Sequence, residues 1–179
     1  KEIALLKRAG LYAVELGTDA ACDATLRSLG KGFSFADALE VNRACVAERL
    51  PCAHFVMFGG PGETADTLTE GLANLQRLEH TVVFGYSGIR ILPGTALHGQ
   101  AIAEGVLSPT ASLFEPVYYF SPRIDADVMN GMIADSFRGR RDRIFPPVEG
   151  QKRLAVMHKF EFRGLLWDHL IRYPKDPVC

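Results

Sequence analysis

The stretch HFVMFGGPGETADTL, from His54 to Leu68, decides the fold class of this chain. Its apolar beginning is typical of a buried strand, which ends in four residues of turn chemistry, Gly59 to Gly62. A helical pattern begins directly after Glu63 and Thr64. Glycines in this place either let the backbone approach a ligand or only make a tight bend, and the spacing alone leaves both interpretations open.

Two more apolar segments on either side of this stretch repeat the strand pattern. The three predicted strands are Leu11 to Gly17, Cys52 to Gly60 and Thr81 to Leu92. Helical patterns separate them: Ser34 can cap one helix with Asp37 three residues on, and a leucine stripe marks the next, Leu68, Leu72, Leu75 and Leu78. Strands joined through helices run parallel with right-handed crossovers, so the chain belongs to the α/β class. Three strands cannot close a barrel.

The pattern weakens after Leu92. A turn, a short helix from about Ala96 to Glu104 and an irregular segment come first. A helix capped by Asp125 and ending in the basic run RGRRDR follows, and the segment from Gly150 to Tyr173 is predicted to be another helix. The basic run RGRRDR could bind an acidic partner, but we favour its interpretation as a solvent-exposed helix end, since cations stabilise helix carboxyl termini. We expect a domain over residues 1–122 and a helical extension over residues 123–179.

Composition excludes several classes of protein. The chain has 179 residues and a net charge of -1, so no basic or acidic excess indicates a nucleic-acid or membrane partner. Its apolar runs are far shorter than the roughly 20 residues of a membrane span. The start KEIALLKRAG has no signal-peptide pattern and resembles the middle of a helix, which predicts a fragment. Four cysteines at irregular spacings predict reduced thiols in a cytoplasmic protein: Cys22, Cys45, Cys52 and Cys179.

Glu15 is the candidate ligand-binding carboxylate. It is predicted near the end of the first strand, on the same face as Leu11 and Ala13. A carboxylate on an apolar strand needs a polar partner, and a pair of ribose hydroxyls or an ion pair with Arg90 would supply one. Neither of the phosphate-binding motifs GK[ST] and G-x-G-x-x-G is present.

The five histidines are scattered without the spacing of metal ligands. Each is therefore expected to lie at the surface or to be hydrogen-bonded in the core: His54, His80, His98, His158 and His169.

Three segments together resemble a known family. ELGTDAACDATLRSLGKGFSFADAL, then FVMFGGPGETADTLTEGLANL, then GIRILPGTAL followed by AEGVL are similar to the carboxyl-terminal half of the radical S-adenosylmethionine (SAM) domain. The resemblance covers Gly10 to Pro122 and is closest to iron-sulfur oxidoreductases in which a cobalamin-binding domain precedes the radical domain. It implies a partial (β/α) TIM-like barrel with carboxyl-terminal helices. The resemblance implies that the full-length parent uses SAM and a [4Fe-4S] cluster and cleaves SAM reductively to a 5′-deoxyadenosyl radical, and it suggests cobalamin as a further cofactor.

The resemblance also implies which residues contact the cofactor. Glu15 matches the polar residue that hydrogen-bonds the SAM ribose. Aligning the family's G-x-I-x-G-x-x-E pattern on Gly60 and Glu63 places Phe58 at the isoleucine and Val56 at the first glycine. The implied cofactor-binding set is Glu15, Phe58, Gly59, Gly60, Glu63 and Arg90. No CxxxCxxC occurs, so this chain is expected to supply no metal ligand and no catalytic residue and to be inactive alone.

The alternative is a small α/β nucleotide-binding or interaction module without catalysis. In either case a half barrel would expose strand edges and an apolar inner face, predicted to carry Leu11, Ala13, Val56, Phe58 and Phe84. We expect self-association through the edge or inner face, or cover by the chain's own later helices. The residues available for that cover are Val128, Met132, Leu165, Leu166 and Trp167.

Overall fold

A computed structural model describes residues 1–173, so Cys179 lies outside the described residues. The strands are β1 (Val14–Asp19), β2 (Cys52–Phe58), β3 (Val82–Ser87), β4 (Ile89–Arg90), β5 (Tyr118–Tyr119) and β6 (Arg143–Ile144). The helices are α1 (Glu2–Arg8), α2 (Asp23–Ser28), α3 (Phe35–Ala47), α4 (Ala65–Leu75), α5 (Ala96–Ala103), α6 (Ala126–Phe137) and α7 (Val148–Lys159). A 3₁₀ helix, Leu166–His169, follows α7.

The main sheet has the order β1-β2-β3-β6, and every neighbouring pair is parallel. The predicted α/β class and partial (β/α) barrel are therefore confirmed. β6 was not expected: it consists of the last residue of the run RGRRDR, which was interpreted as a helix end, and of Ile144 directly after it. Two residues are too short to show a strand periodicity, and only pairing with β3 makes them a strand. Residues after 122 thus contribute a strand as well as helices, and the domain division at that point stays a prediction.

The third predicted strand is broken, so the prediction of one strand from Thr81 to Leu92 was wrong. β3 ends at Ser87, and β4 leaves the main sheet to pair antiparallel with β5. The break is at Gly88, whose φ is +76° and where a Cβ atom would lie 2.7 Å from Cζ of Phe120. Only glycine satisfies both the positive φ and the close contact.

Local signals for helix starts were accurate. The Ser34 side chain accepts a hydrogen bond from the Asp37 amide, and the Asp37 carboxylate accepts one from the Ser34 amide, which completes a capping box. The Asp125 carboxylate caps α6 by accepting from the amides of Asp127 and Val128. The leucine stripe that predicted the helix before β3 is buried, at Leu68, Leu72, Leu75 and Leu78.

The two faces of the sheet are covered differently. Val56 and Phe58 lie on the face covered by the crossover helices and α6, in the larger core cluster. The opposite face, which we call the concave face, carries Phe84 and Ala53 together with aromatic Phe55. The expectation that Val56 and Phe58 belong to the inner face was wrong. Successive residues of a strand point to opposite faces, so they could not share a face with Phe55.

The end of the described chain covers part of the concave face. Trp167 packs edge-on against Phe84 with ring centroids 6.1 Å apart, and Leu165 and Leu166 join the same cluster. Of the other expected cover residues, Val128 is exposed and Met132 packs on the helix side. β1 and β6 are the end strands of the main sheet. Self-association through these end strands stays a prediction.

Over the described residues, none of the helices has the length and apolar character needed to cross a membrane.

Candidate functional site

The glycine turn after β2 is closed by Glu63. One carboxylate oxygen of Glu63 accepts a hydrogen bond from the Gly59 amide at 3.0 Å, and the other accepts from the Thr67 hydroxyl at 3.1 Å. Ser121 holds the turn from outside, donating its hydroxyl to the Glu63 carbonyl at 2.8 Å. Glu63 is 4% exposed, and burial raises the pKa of its carboxyl although these hydrogen bonds oppose the shift. Glu63 therefore shapes the turn.

Gly59 and Gly60 are buried by the chain's own side chains. A Cβ atom at Gly59, where φ is +81°, would lie 3.2 Å from the sulfur of Met129 and from a ring carbon of Phe120. A Cβ atom at Gly60 would lie 2.9 Å from the end of the Ile89 side chain. Packing and geometry therefore account for these glycines. Their main-chain contact with a cofactor stays a prediction.

Phe58 is the last residue of β2, and its side chain is 3% exposed within the helix-side core. Its carbonyl accepts a hydrogen bond from the Gly88 amide at 2.8 Å. Arg90 is exposed in β4, outside the main sheet, where its neighbour across the strand pair is Tyr118. Within residues 1–173 no ion pair joins Arg90 to Glu15. The structure thus separates Arg90 from the sheet that carries the other candidates.

Glu15 lies at the opposite end of the sheet from the position predicted for it. β1 runs from Val14 to Asp19, so Glu15 is its second residue, and its register partner Ala53 is the second residue of β2. Four residues of strand, about 13 Å, separate Glu15 from the carboxyl end of β1. The expectation that Glu15 is near the strand end was wrong, because the strand begins three residues later than predicted. Its side chain is exposed, and its charge adds to burial in raising the pKa of the Tyr86 phenol.

Asp19 occupies the carboxyl end of β1 instead. The register shifts between Gly17 and Asp19, and Asp19 adopts a φ of +58°. A Cβ atom on Gly17 would lie 3.6 Å from an Asp19 carboxylate oxygen. Gly17 and Glu15 point to the same face of the sheet, because they are two residues apart in β1. The Asp19 carboxylate therefore lies on that face. Lys31 forms an ion pair with it. Sequence reasoning missed Asp19 because an irregularity in β1 defeats simple alternation.

His54 is a satisfied core histidine, as expected. Its Nδ1 atom lies 2.7 Å from the Thr18 hydroxyl, and its Nε2 atom lies 3.1 Å from the side-chain oxygen of Asn42. Burial, assisted by the nearby charge of Arg143, lowers the pKa of His54 to about 4. The ring is therefore neutral near pH 7 and faces the helices.

Arg143 is the most deeply buried cation. Its guanidinium donates to the carbonyls of Leu75 at 3.0 Å and Leu78 at 2.6 Å, and to the Asp142 carboxylate at 3.0 Å. These carbonyls lie at the end of α4 and just beyond it, so Arg143 satisfies groups that the helix leaves unpaired. Burial lowers the pKa of Arg143 to about 10, which still leaves it charged near pH 7.

A metal centre does not fit the described side chains. Among residues 1–173 no three histidine, cysteine, aspartate or glutamate residues lie close enough to hold a metal ion. Cys45 and Cys52 are buried in a small cluster with Leu50, and Cys22 is buried separately. A [4Fe-4S] cluster needs three or four convergent thiolates, so these cysteines do not fit one.

Comparison with known proteins identifies structural neighbours only. No family model and no curated protein matches the chain. Two solved structures of the radical S-adenosylmethionine methyltransferase TsrM from Kitasatospora setae match 94% of it, with TM-scores of 0.68 and 0.69 and 22% identity. One contains cobalamin and a [4Fe-4S] cluster, and the other contains a tryptophan substrate and the SAM analogue aza-SAM.

The chain spans 41% and 42% of the length of these two structures. A structure of Methanocaldococcus infernus Elp3 with an N-terminal deletion matches 90% of the chain and 39% of its own, at 17% identity and a TM-score of 0.48. That score carries no conclusion about the fold. The likeness to the methyltransferase shows that this chain has a radical SAM-like fold.

Proposed function

We propose that this chain is part of a radical SAM iron-sulfur enzyme and supplies part of the wall that binds SAM. The observation that carries the proposal is the parallel sheet β1-β2-β3-β6, whose fold matches the methyltransferase over nearly the whole chain. Ligands in parallel α/β sheets bind beyond the carboxyl ends of the strands. The glycine turn and Asp19 lie at those ends.

The cofactors proposed for the full-length parent are SAM and a [4Fe-4S] cluster, with cobalamin as a further possibility. The cluster, when bound, supplies the electron that cleaves SAM to the 5′-deoxyadenosyl radical. Ligands for the cluster would come from outside this chain, because the sequence has no CxxxCxxC and the cysteines within residues 1–173 do not converge. The chain alone is therefore proposed to be inactive in that chemistry.

Asp19 is proposed to hydrogen-bond the ribose hydroxyls, with Lys31 fixing its carboxylate. Asp19 takes the role that was predicted for Glu15, since it lies at the carboxyl end of β1 and Glu15 lies about 13 Å away. Gly59 and Gly60 are proposed to present main-chain groups to the adenine, and Glu63 to hold their turn closed. Phe58 and Arg90 complete the proposed cofactor-binding set.

The test is SAM binding by the full-length protein that contains this segment, measured by equilibrium dialysis. Asp19→Asn should weaken SAM binding about tenfold or more, because a hydrogen bond to a charged group contributes about 1.5–3 kcal/mol. Glu15→Gln should change it little, and Glu40→Gln, an exposed carboxylate on α3, is the matched control.

Two results would contradict the proposal. The first is unchanged SAM affinity in Asp19→Asn. The second is binding of ADP as tight as that of SAM, which would favour the alternative of a simple nucleotide-binding module.

A further inference from the structure

A groove of about 530 Å³ lies between α7 and the segment that carries the 3₁₀ helix. Its floor is apolar and consists of Val156, Met157, Phe160, Phe162, Leu166 and Leu170. Its rim carries Arg141, Lys152, Arg153 and His169. Among the described residues no carboxylate lines this surface, which we call the basic-rimmed groove. One groove thus combines an apolar lining with cationic groups.

Two arginines of the rim keep their charge uncompensated. Arg141 donates to the carbonyl of His169, and Arg153 donates to the carbonyl of Arg141 at 2.8 Å. Within the part of the chain that the structure describes, neither arginine has a carboxylate partner, whereas Lys152 pairs with Glu149 at 2.7 Å. A guanidinium bonded only to carbonyl oxygens still has N–H donors and a full positive charge for an anion. The Arg153 side chain is thereby tied to the main chain at Arg141.

Cationic and apolar lining residues follow one another along α7. Arg153 and Phe160 are seven residues apart, about 10 Å along α7. The Phe160 side chain is 82% exposed and Val156 is 53% exposed, although both line the groove. Exposed apolar groups of this size beside a cationic rim indicate a binding surface, and the volume is in the range of small-molecule sites.

We propose that the basic-rimmed groove binds a single amphiphilic anion, an alkyl carboxylate, with its chain on the floor and its head at Arg141 and Arg153. Charge complementarity selects an anionic head, because the rim offers cations and no carboxylate. The two walls, α7 and the 3₁₀ segment, select one molecule over a lipid bilayer, which a flat surface would suit better. This site is separate from the proposed SAM wall and does not depend on it.

The test is a titration of the whole chain with decanoate below its micelle concentration, followed by backbone amide shifts in NMR spectra. Decanol and decyltrimethylammonium are the matched uncharged and cationic probes. Decanoate should bind at least about tenfold more tightly than the cationic probe. The shifted amides should lie in α7 and the 3₁₀ helix.

Variants locate the site. Phe160→Ser should raise the dissociation constant for decanoate about tenfold without unfolding the chain, because this ring is largely exposed. Arg141→Gln should raise it by a similar factor and bring decanoate closer to decanol. Phe114 is 97% exposed and does not line the groove, so Phe114→Ser should leave the dissociation constant for decanoate unchanged.

Several outcomes would overturn the proposal. The first is that decyltrimethylammonium binds as tightly as decanoate, and the second is that the shifted amides lie outside the groove. The third is that decanoate binding is unchanged in both Phe160→Ser and Arg141→Gln. The fourth is that the chain binds anionic-lipid vesicles but not monomeric decanoate.

Discussion

Replacement of Glu63 by alanine should destabilise the chain by about 1–3 kcal/mol at pH 7. The Gly59 amide is buried and loses its acceptor at 3.0 Å, and an unsatisfied buried donor costs about that much. The Thr67 hydroxyl adds little, because it also reaches the Thr64 carbonyl at 3.1 Å. Removal of a buried carboxylate offsets part of the loss. The melting temperature should fall by about 3–10 °C.

The assay is thermal and urea unfolding followed by circular dichroism. Glu63→Gln keeps a side-chain carbonyl oxygen and most of the volume, so it should lose less than Glu63→Ala. Glu40→Ala, at an exposed position of α3, is the control for removing a glutamate. A Glu63→Ala chain as stable as the control would refute the conclusion that Glu63 holds the turn closed.

The raised pKa of Glu63 adds a pH test. Because the pKa of Glu63 is higher in the folded chain than in the unfolded chain, folding favours the protonated carboxyl. The stabilisation that protonation of Glu63 contributes is therefore complete below the ordinary pKa of 4.5 and is lost as pH rises through the pKa of the folded state. The free energy of unfolding of the unaltered chain should therefore fall relative to Glu63→Gln as pH rises above about 4.5. An opposite trend would mean that hydrogen bonds, not burial, dominate at this carboxyl.

Three further predictions concern the core and the strand ends. Arg143→Met should lower the free energy of unfolding by about 1–3 kcal/mol in urea titrations, because it leaves the carbonyls of Leu75 and Leu78 without their buried donor while Asp142 keeps its ion pair with Arg140; a loss under about 0.5 kcal/mol would contradict this. The lowered pKa of His54 means that its contribution is complete above about pH 6.5 and is lost as pH falls towards about 4. His54→Gln should flatten that part of the pH profile, and an unchanged slope would be evidence against it. Gly88→Ala should destabilise by about 1–3 kcal/mol more than Gly94→Ala, since both have a φ of +76° but only Gly88 has no room for a Cβ atom; equal losses in thermal melts would remove the steric explanation.

Much of the local structure was accessible from sequence. The capping pair Ser34 and Asp37 and the leucine stripe of α4 predicted helices where they occur, because a cap and a 3.6-residue period are properties of neighbouring residues. The apolar run before Gly59 predicted β2 for the same reason. The glycine turn was located correctly, but whether its glycines serve a ligand or the chain's own packing was not accessible.

The candidate site was less accessible. Glu15 has the residue type expected of a ribose ligand, yet its level in the sheet depends on where β1 starts pairing with β2. Asp19 reaches the concave side only through the irregularity after Gly17. Periodicity cannot report either fact, because register is a relation between two segments about forty residues apart.

The sequence by itself determined the α/β class, the alternation of strands and helices up to β3 apart from the short helix α2, and the position of the glycine turn, since these follow from local composition and periodicity. The tertiary structure alone decided that Val56 and Phe58 face the helices, that β3 ends at Ser87 just before Gly88, and that Arg143 and its neighbour Ile144 form a fourth strand. The physical reason is the same in each case. A side chain's environment in a sheet is set by pairing and packing with distant residues, and a short segment of sequence does not contain those partners.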